Sequence, residues 1–526
     1  MKRRIALLLL VSLLLPMLGC GNSIDNSGYV ATGDAILMEG QEPEDIEPEK
    51  ENTQELTLAY YPDRSLNPLF GSDYTNRVLM SLMYQPLFAV DNQKNATPIL
   101  CGAYKISQDY RTWIFYVDEN ARFSDGTRVT AEDVLATYQQ AKKNDYYKNR
   151  FYHVFNLSLT EDGTGVIFGL DTRYQNLPLL LDVPIVKASE VEAELPVGTG
   201  PYVFMRTASG AHLQRDHNWW CGETKVPATD ESISLVEVTS VGDVRDQFQF
   251  GDVSVVCTNP MSDSFAEYRC DYELWQIESG YMLYIGCNVQ WSDFFAKNGG
   301  IRTFLTYGLD RESLAQHAYK GRVNTVTIPC SPGEVFYSKT LASKYEYNPM
   351  EFVGHMGSYT IPTKDNVKKT LTLAVNSDDS ARVKIARDIA KDLTDLGLAC
   401  ETKEYSGSVF KNVLIAQNFD IYLGMTRLSP TMDLTEFFRV YGELSYGGIA
   451  NETLLSMTTN ALENNGNFYN LYQKLAEDGR IIPLMFGYYA VYAQRGICPD
   501  LNPARDNVFY YTLEKTMKDI LIENVE

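Results

Sequence analysis

Residues 371–425 constrain the fold more tightly than any other stretch of the chain. LTLAV (371–375) is an apolar run of strand length. Asp379 or Ser380 can cap a helix that carries Ile385, Ile389, Leu393 and Leu396 on one face, at spacings of four, four and three. Gly397 ends that helix, ACETKEY reads as the next strand, and a second helix around 409–417 leads into FDIYLGM. Strand, helix, strand, helix, strand in this order predicts a parallel sheet with right-handed crossovers. Ligands on such sheets bind beyond the carboxyl ends of the strands, so the loop after FDIYLGM is a good place to look for a site.

The remainder is consistent with a larger α/β body. A chain of 526 residues exceeds one ordinary core and predicts two or three domains. LTLAYY (56–61) reads as a strand closed by Pro62 and Asp63, followed by a helix over 74–84. In TWIFYVDENARFSDG, Trp113, Phe115 and Val117 alternate with Ile114, Tyr116 and Asp118, and Asp125-Gly126 marks the turn. Thr130 then caps a helix, with Asp133 three residues on. GTGPY (198–202) mimics a phosphate loop. However, Val203 stands where a third glycine would be needed, and Pro201 removes an N–H that such a cradle would use.

The N-terminus carries a basic MKRR, an apolar IALLLLVSLLLPML too short to span a bilayer, and then Gly19-Cys20. This resembles the lipobox of bacterial lipoproteins, in which Cys20 would be diacylated and become the mature N-terminus. An ordinary secretory leader before an unmodified Cys20 is the alternative. From Glu39 to Glu55 there are eight acidic residues, one lysine and two prolines, a composition suited to a tether rather than a core. The formal net charge of −22 would repel nucleic acid as a partner. The nine cysteines form no CxxC and the five histidines no ligand-spaced pair, so no metal or other cofactor is expected. Apart from Cys20, disulfides and buried thiols remain equally open readings. GxxxxGK[ST], GxSxG and HExxH are all missing, and no catalytic residues are assigned.

Five stretches in one order resemble the extracellular solute-binding proteins of ABC importers, the family of oligopeptide-, dipeptide- and nickel-binding proteins. They are SLNPLF (65–70), MYQPLFAVD (83–91), ISQDYRTWIFYVDENARFSDGTRVTAEDV (106–134), VGTGPYVF (197–204) and IRTFLTYGLDRESLAQHAYKGR (301–322). The resemblance implies an α/β, periplasmic-binding-protein-like fold (type II, three-domain cluster C) with two lobes joined by a hinge. The implied division is a leader over 1–19 and an anchor with tether over 20–55. A first domain would be assembled from 56–78, 191–283 and 484–526, with a second domain (79–190) inserted in it and a third over 284–483.

The family also implies a non-enzymatic, monomeric receptor. It would sit outside the cytoplasm on a lipid anchor, trapping a peptide or other small solute and handing it to a membrane permease. A surface sensor or adhesin on the same fold is the alternative, as is a non-peptide ligand such as an oligosaccharide or metal chelate. Family logic and the strand-end rule converge on Arg427 and Asp433 as ligand-binding residues. Tyr441, Tyr446, Tyr284 and Asn288 are further candidates, with Asn67 and Tyr84 from the first lobe. Arg427→Ala or Asp433→Ala is then expected to weaken binding without unfolding the protein.

Overall fold

The computed structural model describes residues 55–526 except 72, 209, 263–264, 360–362, 365–366, 465–466, 514–520 and 526. The leader, Cys20 and nearly all of the acidic segment lie outside the described residues. The first strand, β1 (Thr57–Tyr60), leads to α1 (Tyr74–Met83), where the Asp73 carboxylate caps the helix by accepting the Thr75 and Asn76 amides. Strands β2 (Cys101–Ser107), β3 (Thr112–Val117), β4 (Val154–Leu159) and β5 (Gly165–Leu170) then form a five-stranded sheet. Its order is C-terminal strand (Leu521–Val525), β2, β3, β5, β4. The alternation expected in β3 is present: Trp113 and Phe115 are buried, with their rings stacked at 5.7 Å. Between β3 and β4 lies α2 (Ala131–Ala141), opened by a full Thr130/Asp133 capping box.

The large sheet has eleven strands. From one lobe come β1, β6 (Tyr202–Thr207), β7 (Gly210–Arg215), β8 (Ser232–Glu237) and β9 (Val255–Thr258). A long β10 (Glu273–Cys287) crosses to the other lobe, which holds α3 (Arg311–Tyr319). There β11 (Leu371–Asn376), α4 (Ser380–Asp395), β12 (Cys400–Tyr405), α5 (Gly407–Ile415) and β13 (Ile421–Arg427) realise the predicted unit, with β11 parallel to both β12 and β13. Asp379 is the cap of α4; Ile385, Ile389 and Leu393 are fully buried. The last strand of the large sheet, β14 (Ile481–Ala493), returns across both lobes and is buried along its whole length. Its near-continuous apolar sequence fits a strand covered on both faces.

β10 and β14 are therefore where the lobes join in the sheet. Glu273 to Glu278 pair with Ala493 to Tyr488, and Met282 to Gly286 with Phe486 to Ile481, but the ladder breaks between Glu278 and Met282. Gly280 sits in the break at φ +79°, a conformation that favours glycine. A Cβ there would also lie 2.0 Å from the Arg505 guanidinium. The break lies where β10 passes from one lobe to the other, the place at which the resemblance implies a hinge.

GTGPY serves packing. Gly198 and Gly200 have ordinary backbone angles, but a Cβ on either would meet the last turn of α1, at 2.0 Å from the Met83 carbonyl oxygen and 2.3 Å from that of Leu82. The Gly200 amide donates to the Met83 oxygen at 2.9 Å. The glycines are needed for close approach between two backbones rather than for a tight turn. Gly198→Ala should cost about 1–3 kcal/mol, because a backbone carbonyl cannot rotate away as a side chain can. Chemical denaturation checks this, and an unchanged midpoint would contradict it.

Candidate functional site

The strands of both lobes end on a common cleft with a cavity of about 450 Å³. Asn259, Met261 and Ser262 follow β9, Tyr74 opens α1, and Tyr281 comes from the hinge segment of β10. The opposite wall is Met425 of β13, Tyr319 at the end of α3, and Asp378, Asp379 and Arg382 from the β11–α4 junction. Tyr74 packs on Tyr489 with centroids 5.0 Å apart, and burial raises the phenol pKa of both Tyr74 and Tyr281, keeping them neutral donors. The floor is thus aromatic and uncharged.

The charges are gathered at one end. Asp379 Oδ1 accepts the Arg382 amide at 2.9 Å as the helix cap, while Oδ2 takes Arg382 Nε at 2.7 Å. This fixes the guanidinium at the mouth of α4, and among the described residues neither Nη has a hydrogen-bond partner. Asp378 is exposed and uses Oδ2 to accept the Gly407 amide at 2.9 Å. A fixed fork of donors beside an exposed carboxylate suits a carboxylate-bearing, zwitterionic ligand with an apolar body.

None of the eight candidates from the sequence is in this cavity's lining. The Arg427 guanidinium is buried and spent internally: Nε on the Ser279 carbonyl, Nη1 on that of Tyr146, and Nη2 on Asp506 Oδ1 at 2.8 Å. Asp506 in turn holds Arg150 at 2.5 Å. Burial pushes the Asp506 carboxyl up, but Arg427, Arg150 and Arg505 outweigh it and hold it far below the usual range. Asp433 is also buried, its carboxylate on His153 Nε2 at 3.2 Å and on the Thr435 amide at 2.8 Å.

The other six lie elsewhere. Tyr284 donates to or accepts from Tyr422 at 3.2 Å within the core, and Asn288 donates to the Gln417 and Phe419 carbonyls. Asn67 donates to the Val191 and Ala193 carbonyls, and Tyr84 to that of Pro196. Tyr446 is half-buried against Tyr422, whereas Tyr441 is 99% exposed. Asn67, Tyr84 and Asn288 thus satisfy loop carbonyls, Tyr284 pairs with a neighbouring strand, and Tyr441 faces solvent. The strand-end rule was applied only to the loop after β13, and other strands also end on this cleft. Asp378 and Arg382 follow β11 by the same logic.

His153 links two carboxylates, Asp171 at 2.7 Å and Asp433 at 3.2 Å. Burial would lower its pKa, but the two acids prevail and raise it from 6.5 to about 9. A raised pKa means its contribution is complete below pH 6.5 and is lost as pH climbs through 9. The loss should reach about 3 kcal/mol. Thermal melts from pH 6.5 to 9.5 should show this slope in the native protein and a flatter one in His153→Gln; equal slopes would refute it.

The chain matches the family described as bacterial extracellular solute-binding proteins, family 5, over residues 95–444. It is 24% identical to the oligopeptide-binding protein AppA of Bacillus subtilis (strain 168) over 461 residues, 80% of this chain and 83% of that protein. The fold is similar to that of Bacillus subtilis AppA in complex with a nonapeptide, with a TM-score of 0.58, 20% identity, and coverage of 88% of this chain and 99% of that one. It is also similar to NikA from Brucella suis in complex with Fe(III)-EDTA, with a TM-score of 0.65, 16% identity, and coverage of 86% and 98%. The order of motifs, the hinged two-lobe sheet and a family match over most of the chain lead to one conclusion: the chain belongs to the bacterial extracellular solute-binding proteins of family 5.

Proposed function

We propose that this protein is the extracytoplasmic receptor of an ABC importer, and that it captures short peptides in the cleft and delivers them to a membrane permease. The carrying observation is the composition of the cleft: aromatic and thioether walls contributed by both lobes, with the Arg382 fork and Asp378 at one end. A volume of about 450 Å³ falls within the range of roughly 300–1,000 Å³ usual for small-ligand sites. Closure about the Gly280 hinge would bring the two walls together on the ligand, a population shift set by the ligand's preference for the closed form. We further propose a monomer that works without enzymatic chemistry, divided into the three domains set out above and anchored by lipid at Cys20. The short apolar leader and the acidic segment after it support the anchor and tether.

Calorimetry with di-, tri- and tetrapeptides tests the reading, and micromolar or tighter binding of at least one length is expected. Binding of Fe(III)-EDTA with no peptide binding would move the assignment to carboxylate chelates, which the Arg382 fork could also hold. Native mass spectrometry of protein extracted from membranes reads both the ligand carried and the mature N-terminus. An unacylated Cys20 in that spectrum would remove the anchor.

A further inference from the structure

The lobe that holds α3 carries a second cavity, at the opposite end of its strands from the cleft. The cleft is lined from beyond the carboxyl end of β11, whereas this cavity of about 290 Å³ lies where β11 and β13 begin and β10 ends. Thr372 stands near the start of β11 and Asp378 past its end, so about 20 Å of extended chain separates the two sites.

Trp291, just after β10, forms one wall. It is 53% exposed, yet it is held in place. Its amide donates to Asn288 Oδ1 at 2.9 Å, and Asn288 Nδ2 donates to the Gln417 and Phe419 carbonyls. Asn288 therefore fastens the Trp291 turn to the facing wall at 417–419. Gly448, at φ +70°, leaves room for the ring, because a Cβ there would lie 3.2 Å from the indole. The indole N–H has no hydrogen-bond partner among the described residues.

The facing wall is equally fixed. Gln417 takes a left-handed conformation, φ +59°, at the end of α5, a position where glycine is usual. Glutamine costs about 1 kcal/mol there, and its side chain is in use: Oε1 accepts the Gly447 amide, and Nε2 remains available. Asp420 sets the floor, with Oδ1 accepting Ser292 Oγ at 2.5 Å and Oδ2 accepting the Thr372 amide and hydroxyl at 2.9 and 2.8 Å. At the rim Lys369 meets Asp293 at 3.0 Å, and Lys403 and Asn418 are exposed.

The cavity thus offers one apolar face. Phe294 and Phe419 belong to its lining but are only 1% and 6% exposed, which leaves the indole among amides, hydroxyls and charged groups. A flat aromatic ligand would call for a second apolar wall, and a small anion would not need the indole. A hexose has the matching shape. Its C–H bonds cover one face and suit the negative face of an indole, while its hydroxyls form a polar rim.

We infer that this cavity is a saccharide-binding site, in which a hexose ring stacks on Trp291 and its hydroxyls reach Gln417, Asn418, Lys403 and the Lys369–Asp293 pair. The site lies within one lobe, so it depends neither on how the lobes are placed nor on what the cleft captures.

Saturation-transfer NMR of the full protein tests this with glucose, N-acetylglucosamine and glucuronate, each at about 10 mM. That is roughly ten times a Kd of about 1 mM, which corresponds to about −4 kcal/mol. Transfer to the ring protons of at least one sugar is expected, and Trp291→Ala should weaken its binding tenfold or more. Transfer to none of the three would overturn the site, as would unchanged binding in a Trp291→Ala protein whose melting temperature is native. Should the alanine variant melt early, Trp291→Phe carries the test: a smaller ring should bind the sugar more weakly than the native protein, and equal binding would overturn the proposal. A tetramer of the sugar that binds then separates the sources, since tighter binding than the monomer assigns a glycan chain and equal binding a free sugar. Failure of peptides to bind the cleft would leave these results intact, so the saccharide site and the peptide reading fail separately.

Discussion

Arg427→Ala is expected to lower the unfolding free energy by about 3–5 kcal/mol, the cost of breaking a buried ion pair by deleting one partner. This reverses the expectation from sequence, in which Arg427 binds ligand and can be removed without harm to the fold. Its side chain is 4% exposed and ties three separate parts of the chain together: Ser279 at the hinge, Tyr146 from the inserted segment, and Asp506 near the C-terminus. The guanidinium also lies 3.8 Å from the centroid of Tyr146, a ring that Arg77 stacks on at 3.7 Å. Once Arg427 is gone, Asp506 keeps Arg150 and Tyr146, which places the expected cost nearer the lower end of the range. Arg427→Lys should recover part of the loss, since an ammonium restores the charge but not the fork of donors. Denaturant titration decides the matter; a change under about 1 kcal/mol for the alanine variant would show that Asp506 is satisfied without Arg427.

The contrast between Arg427 and α4 shows what the sequence could convey. Ile385, Ile389 and Leu393 announce a buried helical face because period alone determines which residues share it, and Asp379 announces its own cap because capping is local. Arg427 carries no such local sign. Its partner Asp506 is 79 residues away, so a basic residue at a strand end is indistinguishable in sequence from a ligand-binding one. Asp433 is the same case, for its partner His153 lies 280 residues earlier in the chain. Asn67, Asn288, Tyr84 and Tyr284 are alike in this, since each binds a carbonyl or hydroxyl within the fold. The hinge was invisible for a different reason: Glu278 and Gly280 lie inside one long strand, and only the pairing register shows where its two halves part.

The cleft makes a sharper demand on Arg382. If the ligand is a peptide whose terminal carboxylate lies at the mouth of α4, Arg382→Ala should weaken binding by about 2–3 kcal/mol, or roughly 30- to 150-fold in Kd. The stability cost should stay below about 1 kcal/mol, because the Asp379–Arg382 pair is partly open to solvent and the cap does not need the guanidinium. Asp379→Asn separates the two jobs of that carboxylate. Asparagine still caps a helix, so the fold should hold, but it no longer fixes Arg382 through charge, and affinity should fall by a smaller factor, about 5- to 10-fold. A peptide with its C-terminus amidated provides the matching change on the ligand. The amidated peptide should bind the native protein about as weakly as the free acid binds Arg382→Ala, and the two changes together should cost little more than either alone, as expected for groups that act on one another. Additive losses in that cycle would place the carboxylate elsewhere and leave Arg382 as a wall of the cleft rather than its anion receptor.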